Sequence, residues 1–203
     1  GGAANHCAIN VALYRPESGR WCMTERNAQA LARGAHWLRI GPSSLAWDGE
    51  TLTIEINERC APIPRSLRGR VTLRPQHVLE KQYVLAENGL HLWHPIAPRA
   101  RVEVDFSDPG WRWSGHGYWD SNTGQAPMED AFRTWNWSRA RLMDGRLAVL
   151  YDIERRDSSQ ERLALEFGPG AGVSPFVALA PVVLPSGMWG VVRATCSDHG
   201  NAR

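Results

Sequence analysis

The chain has 203 residues and a formal charge of +2; 43% of its residues are hydrophobic and 22% charged. That fits one large all-β domain or two small ones, and it excludes a disordered or fibrous chain. No apolar run reaches the roughly 18 residues of a membrane-spanning helix, and so small a charge does not argue for nucleic acid as a partner.

The first elements read as strands. The chain opens Gly1-Gly2-Ala3-Ala4 with no Met and runs directly into Ala8–Tyr14, as a fragment does. It lacks the basic-then-apolar leader of a signal peptide. Arg15-Pro16-Glu17-Ser18-Gly19 is a turn signal, and Trp21–Glu25 is the length of a return strand. Asn27–Arg33 holds helix formers but is short. Leu38–Ile40 and Ser44–Trp47 flank Gly41-Pro42. Asp48-Gly49 turns the chain into Thr51–Ile56, which alternates strictly with Leu52, Ile54 and Ile56 on one face.

Arg68–Leu73 is a further strand, and residues 75–90 are less regular. Pro95 and Pro98 stiffen the chain and interrupt strand pairing, so a domain break is expected there, giving residues 1–97 and 98–203. Arg101–Phe106 and Trp111–Ser114 alternate again. Leu147–Asp152 and Arg162–Phe167 bracket a hairpin at Arg155–Glu161. Val173–Leu184 is apolar and punctuated by proline; it reads as a buried strand pair or as a membrane contact. Trp189–Ala194 is a last strand, and the tail from Cys196 frays. Many short strands with Gly/Pro turns give an all-β fold, two antiparallel barrels or sandwiches.

Cys7, Cys22, Cys60 and Cys196 have wide, irregular spacing and read as reduced thiols of a cytoplasmic compartment. No paired Cys/His spacing suits a metal, and none is expected.

The aromatics are weighted toward Trp, with 10 against four Tyr and four Phe. An indole offers a large apolar face, one donor and a π-cloud that attracts cations. Two segments combine such faces with titratable groups: His91-Leu92-Trp93-His94-Pro95 and His116-Gly117-Tyr118-Trp119-Asp120-Ser121-Asn122. In extended chain His91 and Trp93 share a face, as do His116, Tyr118 and Asp120. The same offset separates His91 from Tyr118 and Trp93 from Asp120. No GxSxG elbow, second glycosidase-type carboxylate or phosphate cradle accompanies them. One carboxyl group among aromatic faces suits protonation of an apolar double bond and shelter of the resulting cation. The structural alternatives stand beside this. Trp93 and Trp119 also suit a core, Tyr118 a barrel end, His91 a satisfied core histidine, and Asp120 an Asx-turn before Ser121-Asn122.

Asn5–Tyr14, Trp21–Arg26, Ile40–Leu45, Trp93–Pro98, Gly115–Asn122 and Glu129–Arg139 together resemble the carotenoid 1,2-hydratase (hydroxyneurosporene synthase) family. The resemblance runs from Asn5 to about Val192. It implies two lipocalin-like β-domains, the first lacking its opening strands. It also implies addition of water across the terminal C1=C2 bond of acyclic carotenoids such as neurosporene and lycopene, without a cofactor. The residues held essential in that family fall on His91, Trp93, Tyr118 and Asp120, with Asp120 as proton donor. For that role Asp120 must be held protonated, which desolvation favours. Trp119 and His116 are expected to bind substrate. A water-insoluble substrate implies peripheral contact with the cytoplasmic side of the photosynthetic membrane of the bacterium. Two rivals share the scaffold: a carrier of an apolar ligand, and a pericyclase-type enzyme that shapes a polyene without adding water.

Overall fold

The computed structural model describes residues 2–87, 89–186, 190 and 193–196. Strands dominate. In chain order they begin with β1 (Cys7–Arg15), β2 (Ser18–Arg26), β3 (Leu31–Arg33), β4 (Trp37–Ile40), β5 (Ser43–Trp47), β6 (Leu52–Arg59), β7 (Ser66–Pro75) and β8 (Tyr83–Val84). The long β9 (His91–Asp108) and β10 (Trp111–Gly124) follow, then a single helical turn, α1 (Met128–Ala131). The remainder are β11 (Phe132–Arg141), β12 (Leu147–Arg155), β13 (Gln160–Phe167), β14 (Val173–Pro175), β15 (Pro181–Leu184) and β16 (Arg193–Cys196). The all-β expectation is met. The sheets are open, however: β1-β2; β10-β9-β7-β6-β5-β4-β3 with β8 on β9; β11-β12-β13-β14; and β15-β16. None closes into a barrel among the described residues.

The chain divides into two compact units, Gly1–Leu79 with Pro95–Asp120, and Glu80–His94 with Ser121–Arg203. Both β9 and β10 therefore contribute residues to each. β9 runs through both prolines, and one of the two boundaries between the units falls within it, between His94 and Pro95. The β8 ladder on β9 ends at Trp93, and the β7 ladder begins at Ala100. Between them the carbonyls of Ile96 and Arg99 accept hydrogen bonds from Leu79 and Gln76. Proline keeps its carbonyl but has no N–H to donate, so it is tolerated where the neighbouring segment uses the chain as an acceptor.

In the first unit β1 and β2 form the expected hairpin, in register from Cys7↔Arg26 to Arg15↔Ser18. The short Asn27–Arg33 segment is one 3-10 turn (Ala28–Ala30) followed by β3. At the β5–β6 turn Asp48 Oδ1 accepts the Glu50 and Thr51 N–H groups, and Gly49 supplies φ +103°. β6 buries Leu52 and Ile56 as its alternation predicts, with Ile54 half-buried. The same phase carries Glu58 inside, 3% exposed. Arg26 meets it with Nη2 2.6 Å and Nη1 3.2 Å from its two oxygens, and Ser43 Oγ donates at 2.6 Å. Leu13, Cys22, Leu67, Val104, Phe106 and Trp111 form the adjacent core. Cys7, Cys22 and Cys60 are free thiols, and burial pushes the Cys22 thiol up.

In the second unit β12 buries Leu147, Val149, Leu150, Tyr151 and Ile153 between β11 and β13. The Arg155–Glu161 hairpin is present, with Ser158 at φ 69° in its turn. Sequence periodicity did not reveal β11, which past Phe132 is exposed along its whole length and is held by pairing with β12. The reading of Val173–Leu184 as a buried strand pair is corrected. Only Val173–Pro175 pairs with β13, and Val177, Leu179 and Val183 stand in solvent. Of the expected strand Trp189–Ala194, residues 189, 191 and 192 lie outside the described residues, as does the tail 197–203. Arg193–Cys196 pairs with Pro181–Leu184.

Candidate functional site

Tyr118 and Asp120 belong to the first unit and sit two residues apart in β10. Alternation places them on one face, and the Tyr118 hydroxyl donates to Asp120 Oδ2 at 2.9 Å. Both are half-buried. Asp120 lies inside a continuous strand that ends at Gly124, which removes the Asx-turn alternative. His116 shares their phase but is exposed.

Trp119 points to the opposite face. Its ring packs against Trp47 at 5.3 Å between centroids, beside Leu45, Leu52 and Leu73. An open groove of about 400 Å³ borders this face, lined by Trp37, Leu38, Leu45, Trp47, Leu52 and Trp119 among others. The structure thus brings Tyr118 to Asp120 and sets Trp119 on the other side of the strand. Gly117 permits the close approach: a Cβ there would lie 3.1 Å from Leu73 Cδ1 and 3.2 Å from Val102 Cβ.

His91 and Trp93 belong to the second unit, at the start of β9. They share one face and are 4% and 0% exposed. The His91 ring packs on Phe132 at 4.9 Å. On its Nδ1 side Gly124 leaves no space, since a Cβ would come within 3.0 Å of that nitrogen. His91 Nε2 is buried with no hydrogen-bond partner. Such a group costs about 1–3 kcal/mol and calls for a reason.

Trp93 has Tyr83 at 5.4 Å and Tyr151 at 5.6 Å, both rings tilted to it. Burial pushes the Tyr83 hydroxyl above its usual range, and Lys81 Nζ stands 5.0 Å from that ring. The Tyr151 hydroxyl donates to Asn122 Oδ1 at 3.1 Å. Sequence reasoning missed Tyr83, Phe132 and Tyr151. Tyr151 did carry a signal: it is the polar-tipped member of the inward phase Leu147, Val149, Tyr151, Ile153. Chemically, the first unit offers a carboxyl oriented by a phenol. The second offers an imidazole nitrogen with an uncommitted site among π-faces. No group of three His, Cys, Asp or Glu able to hold a metal occurs among the described residues.

The comparisons agree in kind. The family model described as carotenoid hydratase CrtC matches residues 2–203. The acyclic carotenoid 1,2-hydratase of Thiocapsa roseopersicina is 47% identical over 97% of this chain and 49% of its own length. The protein of the same name from Rubrivivax gelatinosus is 40% identical over 97% of this chain and 48% of its own. The chain thus spans about half the length of these curated relatives. A crystal structure described as AttH, from Nitrosomonas europaea, superposes with a TM-score of 0.62 at 13% identity, covering 93% of this chain and 65% of that one. That likeness concerns the fold alone and carries its lipocalin-like reading. A match from residue 2 to residue 203 leaves one conclusion: the chain belongs to the CrtC carotenoid hydratase family.

Proposed function

We propose that this chain takes part in adding water to the terminal C1=C2 bond of an acyclic carotenoid such as neurosporene or lycopene. The observation that carries the reading is the Tyr118–Asp120 hydrogen bond inside a segment matched by the family model. Asp120 is the acid. Its carboxyl passes a proton to C2, and the charge develops on tertiary C1. An aromatic face stabilises such a cation by about 2 kcal/mol when dry. Water adds to C1, and its surplus proton returns to the Asp120 carboxylate, so the net change is alkene plus water to tertiary alcohol. The family resemblance that assigns Asp120 to this reaction also assigns His91 and Trp93. No cofactor is needed for this chemistry.

A carotenoid is extracted from a bilayer, so peripheral contact with the cytoplasmic side of the photosynthetic membrane belongs to the same proposal. The exposed Val177, Leu179 and Val183 are its candidate contact.

The test is turnover of lycopene in membranes supplied with heavy-oxygen water. The chain places heavy oxygen in the product. Asp120→Asn lowers that incorporation at least about a hundredfold, the scale of a lost general acid, with an unchanged melting temperature. Near-normal turnover in the variant removes Asp120 from the acid role. Carotenoid uptake with no product would instead identify a carrier, and a reshaped polyene without heavy oxygen a pericyclase-type enzyme.

A further inference from the structure

Cys22 and Cys60 are buried free thiols, 0% and 8% exposed, that the hydration chemistry does not use. They lie far apart in the chain, and the first unit brings them together. The inward phase of β2 is Cys22, Thr24 and Arg26. That of β6 includes Ile56 and Glu58, and Cys60 continues it just past the end of the strand. The two phases meet, because Arg26 holds the Glu58 carboxylate. At the other end the Ala61 N–H donates to the Trp21 carbonyl at 3.0 Å. These two contacts run in opposite chain directions and bracket both thiols. One step inward from the Trp21–Ala61 hydrogen bond sets Cys22 opposite Cys60.

Both thiols belong to one buried cluster with Leu13, Ile56 and Leu67. Burial holds the Cys22 thiol above its usual range, and negative charge on Glu58 and Cys60 adds to that effect. Opposed residues of neighbouring antiparallel chains have Cα atoms about 4.5–5.5 Å apart. A disulfide spans about 4.4–6.8 Å between Cα atoms, so the pair lies within reach of a bridge. Two thiols would also serve as small core side chains. What sets this pair apart is its place at a seam. β1 and β2 form a sheet of their own, whereas β6 lies in the eight-stranded sheet. A bond from Cys22 to Cys60 would tie one to the other and close a loop containing β3, β4 and β5.

We propose that Cys22 and Cys60 are an oxidation site at which a peroxide closes a reversible disulfide between the β1–β2 hairpin and β6. Cys60 is the entry point, since residues 61–65 beside it are exposed while Cys22 is fully enclosed. A peroxide oxygen bonds to the Cys60 sulfur, the O–O bond breaks and one water leaves, giving a sulfenic acid. The Cys22 sulfur then bonds to that sulfur and displaces its hydroxyl, which leaves with the Cys22 proton as a second water. Two thiols are oxidised and one hydrogen peroxide is reduced. A thiol reductant reverses the step and is itself oxidised to a disulfide.

The test treats the folded chain with hydrogen peroxide, blocks remaining thiols with an alkylating agent after unfolding, and maps the linked peptides by mass spectrometry. The expected product joins the Cys22 and Cys60 peptides with the loss of two hydrogens. The bridged chain is expected to melt roughly 5 °C or more above the reduced one, and dithiothreitol removes both the link and the shift. In Cys22→Ala and in Cys60→Ala peroxide no longer raises the melting temperature; the result on the parent chain stands without these variants. Three outcomes overturn the proposal: both thiols stay reduced in the folded chain, either one bridges to Cys7 or Cys196 instead, or the bridge leaves melting unchanged. No carotenoid enters the experiment, so its outcome is independent of the hydration reading.

Discussion

Glu58 shows what a single residue contributes here. Its carboxylate is buried in the inward phase of β6 and is held by Arg26 and Ser43, whose side chains are themselves largely enclosed. Taking a charge out of water is tolerated only with such a partner, and removing the partner leaves it uncompensated. Arg26→Ala is expected to destabilise the chain by about 3–5 kcal/mol in urea unfolding, whereas exchange of the exposed pair Arg70–Glu55 changes stability by less than about 1 kcal/mol. Glu58 was not legible in the sequence, because an acid in an alternating strand reads as outward-facing. The Tyr118–Asp120 pair was legible, since alternation alone puts residues two apart on one face. Trp119 illustrates the same rule from the other side. Its residue type suggested a partner for Asp120, but its parity assigns it to Trp47.

At the scale of elements, punctuation was the readable signal. The turns at Arg15–Gly19, Gly41-Pro42, Asp48-Gly49 and Arg155–Glu161 each lie where strands reverse. Asp48 makes one of these turns pH-dependent. Two backbone N–H groups hold its carboxyl below the usual range. Because the folded value is the lower, the stabilisation is fully present above the unfolded value of about 3.9. It is lost as pH falls through the folded value. Asp48→Ala is accordingly expected to lower the melting temperature slightly at neutral pH. The difference should vanish in strongly acidic buffer; a gap that persists there would assign the effect to turn geometry alone. Strand β11 escaped sequence reading because an exposed strand held by backbone pairing has no buried face to impose a period. The prolines in β9 lie between the β8 and β7 ladders, where the carbonyls of Ile96 and Arg99 accept from Leu79 and Gln76.

For the whole molecule, the all-β class followed from strand length and turn spacing. The make-up of the two units did not, since each is assembled from separated stretches of chain. Local punctuation marks where pairing stops, whereas membership of a compact unit is decided by which strands share a core. The exposed segment around Val177 also belongs to this scale, because Val177 is 94% exposed. If it meets lipid, the chain floats with anionic vesicles in a density gradient, and Val177→Asp with Leu179→Asp reduces the floating fraction several-fold. Equal flotation of the two proteins would place lipid contact elsewhere.

The back-to-back arrangement in β10 limits how this chain can be altered. Tyr118 and Asp120 look one way and Trp119 the other, so removal of one residue between Trp111 and Gly117 would put the indole in the place of the Tyr118 phenol and turn the carboxyl to the opposite face. Length changes in that strand are tolerable only in pairs. Any redesign for a different polyene must work by exchanging side chains rather than by sliding the ribbon.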